Sequence, residues 1–130
     1  METILVPISP GELLDKLTIL QIKSERMDDE AKLANVRHER DLLMETWSSL
    51  GISDAKIDEL WSDLKGVNEA LWDIEDEIRD KERERAFDDR FIELARAVYF
   101  TNDKRSELKK RINVHLGSKI VEEKSYQDYS

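Results

Sequence analysis

Apolar residues recur at alternating steps of three and four along three long stretches of this chain, and no other feature restricts its fold more. Such spacing places a narrow apolar stripe along one side of a helix, the arrangement by which helices pack in bundles and coiled coils. The stripes consist of Leu33, Val36, Arg40, Leu43, Trp47 and Leu50; of Ile57, Leu60, Leu64, Val67, Leu71, Ile74 and Ile78; and of Phe91, Leu94, Val98, Thr101, Arg105, Leu108, Ile112 and His115.

Helix start and stop signals divide the chain into four helices, so the sequence predicts an all-α, four-helix bundle-like domain. Ser9 is an expected N-cap before Pro10, Asp88 is another, and Gly51 is an expected C-terminal stop. The first helix is apolar around most of its circumference, which is typical of a helix central in a fold or in an oligomer interface. The predicted helices span residues 10 to about 27, 31–50, 54–85 and 89–116.

The connections predict how these helices are arranged. Only three residues separate the second helix from the third, so we expect them to form a long antiparallel hairpin with the fourth helix beside them. Residues 51–87 are net acidic and residues 88–119 net basic, which favours antiparallel packing of the third helix on the fourth as well. Short extended segments are expected at both ends, with Ile4–Val6 and Ile120-Val121 as candidates for a small two-stranded contact.

Composition limits the class of protein. The 130 residues predict one domain, residues 1–130, and equal shares of hydrophobic and charged residues (39% each) suit a bundle with a well-solvated exterior. Cysteine is absent, which excludes disulfides and thiolate metal sites, and no segment has the pattern of a signal peptide or a membrane span. We therefore expect a cytoplasmic protein with no membrane partner. Its net charge of −9 disfavours nucleic acid as a partner, because an acidic surface repels phosphate.

A basic face on the fourth helix is the main candidate for a binding site. Asn102, Arg105 and Lys109 lie about one turn apart, and Arg96 is within reach one or two turns earlier. Because Arg105 falls in the apolar stripe, its guanidinium needs either a bound anion or an internal carboxylate from the third helix. Arg40 interrupts the stripe of the second helix, where it either converges on the same anion or fixes helix register.

Carboxylates on the third helix support an alternative function. Asp73, Asp76 and Asp80 recur at helical spacing with Glu77 among them, and such groups hold Mg²⁺ in all-α nucleotide pyrophosphohydrolases. Glu77 and Asp80 match only half of that pattern, and an acidic solvated face explains the run equally well. His38 and His115 lack partners at ligand spacing. No cofactor is expected, except magnesium under this alternative.

Four stretches together resemble a small family, catalogued as a domain of unknown function, from bacteria and bacteriophages of marine cyanobacteria. They are Ile8-Ser-Pro-Gly-Glu-Leu-Leu-Asp-Lys-Leu-Thr-Ile-Leu20, Val67-Asn-Glu-Ala-Leu-Trp-Asp-Ile-Glu75, Leu94-Ala-Arg-Ala-Val-Tyr99 with Asn102-Asp-Lys-Arg105, and Glu122-Glu-Lys-Ser-Tyr126. The resemblance covers nearly the whole chain and implies a single-domain protein in a bacterial or phage setting. It implies no catalytic residues.

The complete helical stripes, without a catalytic constellation, predict a non-enzymatic interaction or adaptor module with an unknown protein partner. The alternative is a small-anion or Mg²⁺-dependent nucleotide-binding or nucleotide-hydrolysing enzyme. A first helix with apolar residues on opposite sides, and a third helix of about 30 residues, also predict a two-fold homodimer.

Overall fold

A computed structural model describes residues 1–129, which contain four α-helices and no strand. Ser130, the last residue of the predicted single domain, lies outside the described residues. The predicted all-α fold is confirmed, and the helix boundaries agree with the expected ones to within about two residues. The helices are α1 (Pro10–Arg26), α2 (Glu30–Leu50), α3 (Ala55–Glu84) and α4 (Asp89–His115).

The helix ends follow the capping residues of the sequence. Before each helix, a short polar side chain accepts a hydrogen bond from a backbone N–H of the first turn, which satisfies a donor that the helix itself leaves unpaired. Gly51 ends α2 with a left-handed backbone (φ 60°), a conformation that costs glycine little. The capping residues are Ser9, Asp29, Asp54 and Asp88.

α3 and α4 form the long antiparallel hairpin of the structure. At one end, Nε2 of His115 lies 2.8 Å from the carboxylate of Asp54, and near the other, Nε of Arg90 donates to Glu77 at 2.6 Å. The opposite net charges of the two segments thus correctly predicted this pairing. The hairpin expected between the second and third helices is wrong, because α2 packs along α1 and its backbone stays away from α3.

The reason for this difference is the position of α1. This helix buries residues on several sides, among them Leu14, Leu17 and Ile22, and it contacts each of the other three helices. A short connection fixes where α3 starts but not which helix runs beside α2. Because α1 needs cover around most of its circumference, it lies alongside α2, and α2 meets α3 through side chains of the core at one end of the bundle. The predicted central position of α1 is confirmed.

The core lies at one end of the bundle. There, the start of α1, the end of α2, the start of α3 and the end of α4 meet, and Trp47 of α2 joins Ile57 of α3 in one apolar cluster. Burial falls along the α3 stripe away from this end. Leu64 is completely buried, whereas Val67 and Leu71 are only half-buried.

The far part of the hairpin extends beyond α1. At 1.5 Å per residue, the 30 residues of α3 span about 45 Å and the 17 residues of α1 about 25 Å. Arg26, the last residue of α1, reaches only as far as Asp73 of α3. Residues 74–84 and 89–101, which we name the hairpin arm, therefore consist of two helices without a third.

The terminal segments are extended, but they do not pair with each other. Ile4, Leu5, Val6, Ile120 and Val121 are all exposed, and no strand forms in residues 1–129, so the candidate two-stranded contact does not form. In the same range, no helix is both long enough and apolar enough to span a bilayer.

Candidate functional site

A buried carboxylate joins three of the four helices. Asp15 of α1 has only 1% of its surface exposed, yet its two oxygens accept hydrogen bonds from three side-chain donors. Arg105 of α4 donates from Nε at 2.9 Å and also from Nη2, and Asn68 of α3 donates from Nδ2 at 3.0 Å. The two-pronged contact with Arg105 compensates the charge of a carboxylate that water cannot reach.

The polar network around Asp15 is closed. Asn68 also donates to the hydroxyl of Thr18 at 2.9 Å, and that hydroxyl donates to the backbone carbonyl of Asp15 at 2.8 Å. Within residues 1–129, every buried side-chain nitrogen and oxygen has a hydrogen-bond partner. A fully satisfied buried network holds its members in one geometry. The position of Arg105 is therefore fixed from the interior.

Close contact between the start of α1 and the end of α4 sets the register of this network. The backbone N–H of Gly11 donates to Oδ1 of Asn113 at 2.7 Å in a buried contact. A Cβ atom on Gly11 would lie 2.5 Å from the backbone carbonyl oxygen of Lys109, so only glycine permits this approach. The Ser9-Pro10-Gly11 sequence thus seats the first turn of α1 on α4, and Asp15 then meets Arg105 one turn later.

Lys109 connects the network with the C-terminal segment. Its ammonium group lies 2.6 Å from the carboxylate of Glu12 and 3.3 Å from that of Glu122. Lys124 also donates to Glu122. Hydrogen bonding from Lys124, together with the charge of Lys109, lowers the pKa of Glu122. The hydrogen bonds to Asp15 raise the pKa of Arg105, so its positive charge is secured.

Residues 122–129 cross the polar face of α4 and leave a groove of about 850 Å³ between that segment and the helix. Beyond the contact of Glu122 with Lys109, the segment is held where the hydroxyl of Tyr129 donates to Asp103. The Tyr129 ring also packs against Phe100, with 4.8 Å between ring centroids. We name this space the tail groove; it is lined by Tyr99, Asn102, Asp103, Arg105, Ser106, Lys109, Lys124, Tyr126, Gln127, Asp128 and Tyr129.

The structure brings together three of the five residues expected to bind an anion. Asn102, Arg105 and Lys109 share the tail groove. Arg96 is exposed on α4, where its guanidinium lies 5.7 Å from the Phe100 ring centroid. Arg40 pairs with its neighbour Asp41 at 3.3 Å on α2, a helix that packs on α1 rather than on α4.

The internal partner of Arg105 comes from an unexpected helix. An acid of the third helix was expected, but the partner is Asp15 of α1, and α3 supplies the amide of Asn68 instead. The sequence contained one signal for this role. Asp15 is the only acid in the strongly apolar run from Leu13 to Leu20, and a lone acid in such a run needs a buried cation.

The four carboxylates proposed for magnesium are not assembled into a metal site. In residues 1–129, no group of three or more histidine or acidic side chains is placed to hold a metal ion. Three of these carboxylates form ion pairs with arginines of the chain: Asp73 with Arg26, Glu77 with Arg90, and Asp80 with Arg83.

A comparison with protein families identifies the chain. The model of a family of unknown function, DUF6165, matches residues 4–129. The chain belongs to this family. No curated protein matches it, and no solved structure does either.

The four stretches that carried the family resemblance meet at the site described above. The first stretch contributes Asp15, the second Asn68 and the third Arg105, while the fourth contributes Glu122 beside Lys109. Segments far apart in the sequence thus build one network and one wall of the tail groove.

Proposed function

We propose that this DUF6165 chain is a non-enzymatic, single-domain interaction module of the bacterial or phage cytoplasm, and that it binds an acidic group of a protein partner in the tail groove. One observation carries the proposal. The carboxylate of Glu122 lies on Lys109 at 3.3 Å and on Lys124, beside Arg105, so these cations already hold a carboxylate supplied by the chain's own tail.

Glu122 is an exchangeable occupant. It belongs to a segment without regular secondary structure, and its side chain is nearly half exposed. An acidic side chain of a partner could take its place without opening the core. Ion pairs at such exposed positions contribute little to stability, so displacing one costs little.

The cationic floor of the groove is rigid before any ligand arrives. Asp15 fixes Arg105 through Nε and Nη2, which leaves Nη1 outside this pair for another acceptor. Lys109 is anchored by Glu12 at 2.6 Å. A preorganised site loses little side-chain entropy on binding, which favours affinity.

The side chains that line the groove suit recognition of an acidic group. The lining carries the cations Arg105, Lys109 and Lys124 beside the acids Asp103 and Asp128, and Tyr99, Tyr126 and Tyr129 add aromatic faces. Cations recognise carboxylates, and tyrosines supply large contact areas with few rotatable bonds. The same residues would also hold a small inorganic anion, which is the part of the alternative function that the geometry continues to favour.

Calorimetric titration of the full chain tests the proposal. Tetraglutamate should bind, and Lys124→Met should weaken binding by about tenfold because one of the paired cations is lost. Lys119→Met is the matched control, since Lys119 is an exposed lysine of the same tail outside the groove lining, and it should leave the affinity unchanged. Absence of binding, or equal losses in both variants, would refute the tail groove as the site. Binding of inorganic phosphate in place of tetraglutamate would favour the small-anion alternative.

A two-fold homodimer is the second part of the proposal. The opposite apolar sides of α1 no longer argue for it, because the other helices cover them within one chain. Support comes from the exposed Leu5 and Val6 of the N-terminal segment, which expose apolar area that a second copy would cover. Light scattering should give twice the chain mass of 15.3 kDa at micromolar concentration, and Leu5→Glu/Val6→Glu should give the monomer mass.

A further inference from the structure

α1 crosses the α3–α4 hairpin obliquely. Near its start, Asp15 contacts Arg105 of α4, whereas Arg26, its last residue, contacts Asp73 of α3 at 2.6 Å. α1 therefore moves away from α4 along its length. This divergence opens a wedge above α3, between the second half of α1 and α4.

The wedge is a largely apolar groove of about 460 Å³. Its floor and walls come from three helices, and we name it the α1 groove. It is lined by apolar residues such as Ile19, Leu71 and Trp72, by the acids Glu75 and Asp76, and by the cations Lys23 and Arg105.

The hairpin arm continues this groove beyond the end of α1. Ile78 follows Leu71 by two turns on α3, and on α4, Phe91 and Val98 are likewise two turns apart, so each pair shares one helix face. All four side chains are only half-buried, although they occupy the apolar stripe. α1 covers this face of the hairpin near the core, whereas no helix covers the same face along the hairpin arm.

Acidic residues follow the α1 side of this position. Glu69 and Asp73 lie within 3.6 Å and 2.6 Å of the Arg26 guanidinium. Asp76 lies about one turn further along the arm, and it has no hydrogen bond or ion pair among the residues that the structure describes. Asp80, a further turn on, pairs only with the exposed Arg83. The row of acidic residues that pairs with Arg26 thus continues past the end of α1.

We propose that the α1 groove and the arm beyond it form the docking site for a basic amphipathic helix of a partner protein. The partner helix would lie beside the second half of α1 and continue along the arm, with apolar residues at three- and four-residue spacing on Leu71, Ile78 and Val98. Its Lys or Arg residues would meet Asp76 and Asp80 as Arg26 meets Asp73. Apolar anchors in a groove with charges at its rim are the usual means by which amphipathic helices are recognised.

A fluorescent label gives a direct test, because the chain contains no cysteine and a single one can be introduced cleanly. Glu75→Cys places an environment-sensitive label on the floor of the α1 groove, and Glu45→Cys places it on the exposed face of α2 as the control. The probe is a synthetic Leu/Lys helix about five turns long with Leu at three- and four-residue spacing. It should shift the emission of the groove label only. The matched Leu/Glu peptide should shift this label only at concentrations at least about tenfold higher.

Charge variants separate docking from general attraction to an acidic protein. Asp76→Lys/Asp80→Lys should weaken Leu/Lys binding about tenfold, whereas Glu39→Lys/Glu45→Lys, with the same change in net charge on α2, should not. Equal losses in both pairs, or a shift of both labels, would overturn the proposal, as would no shift at all. A groove label that is already shifted in a dimer, and that reverts on dilution, would assign the site to a second copy and overturn it too. Binding of an acidic peptide in the tail groove should leave the groove label unshifted, so these measurements and the function proposed above can fail independently.

Discussion

Replacing Asp15 by alanine tests the buried network at its centre. The change removes the acceptor of three hydrogen bonds and leaves the guanidinium of Arg105 and one N–H of Asn68 without their partner. Alanine suits a helix interior, so the helical propensity of α1 does not oppose the change. The loss of stability therefore reports on the network itself.

The cost follows from how far water can reach the remaining groups. Removing one partner of a buried ion pair costs about 3–5 kcal/mol, and the Arg105 side chain is 30% exposed, which places this variant near the lower value. The lost hydrogen bond of Asn68 adds about 1 kcal/mol. We expect Asp15→Ala to lower the free energy of unfolding by about 3–4 kcal/mol, a large part of the roughly 5–15 kcal/mol of a typical domain.

The reverse truncation should cost more. Arg105→Ala leaves a carboxylate that is 1% exposed and has no cation to compensate it, so a loss near about 5 kcal/mol is expected. The double variant Asp15→Ala/Arg105→Ala leaves neither charge uncompensated. Its loss should be smaller than the sum of the single losses by about 2 kcal/mol or more.

Urea denaturation followed by far-ultraviolet circular dichroism measures all three free energies. Additive losses in the double variant would refute the direct coupling of Asp15 with Arg105. A loss below about 1 kcal/mol for Asp15→Ala would refute the argument from burial, since it would place the pair among exposed ion pairs.

Three further outcomes can be measured on the same chain. Gly11→Ala should destabilise the fold by about 1–3 kcal/mol, because the new Cβ would meet a backbone carbonyl of α4. Gly66→Ala should stabilise α3 by about 0.5–1 kcal/mol, because Gly66 has open space around it. Urea denaturation measures both changes. Leu64→Ala should cost about 3–5 kcal/mol and Leu71→Ala clearly less, since only the first is fully buried; equal losses would contradict the gradient of burial along α3. Tyrosinate absorbance should show Tyr129 titrating with a pKa of about 12, because the phenol donates a hydrogen bond to Asp103. This hydrogen bond should persist below pH 10 and weaken as the pH rises toward 12. The raised pKa should be lost in Asp103→Asn.

The sequence was sufficient to predict the four helices and the pairing of α3 with α4. The three-and-four spacing and the capping residues determined the four helices, because both act within a few residues of chain. The opposite charges of residues 51–87 and 88–119 identified the α3–α4 hairpin. The pairing of α2 depended on competition for the apolar surface of α1, which no local pattern records. This is why a short loop suggested the wrong partner.

The candidate site was predictable from one side only. The helical spacing of Asn102, Arg105 and Lys109 placed them on one face, since all three lie on a single helix. The groups opposite them come from other parts of the chain, and Asp15 and Glu122 reach the site only through tertiary packing. Arg40 and the α3 carboxylates had suitable chemistry, but helix packing and local ion pairs direct them elsewhere.

The central place of α1 makes the order of synthesis matter for folding. Two contacts of its first turns join residues 90 or more positions apart, namely Asp15 with Arg105 and Gly11 with Asn113. α1 therefore emerges from the ribosome long before α4. Until α4 is complete, Asp15 has no guanidinium, and apolar side chains of α1 remain uncovered. Contacts at such separation require loop closure before they stabilise anything, so they slow folding. α1 can therefore reach its native packing only after α4 has been synthesised.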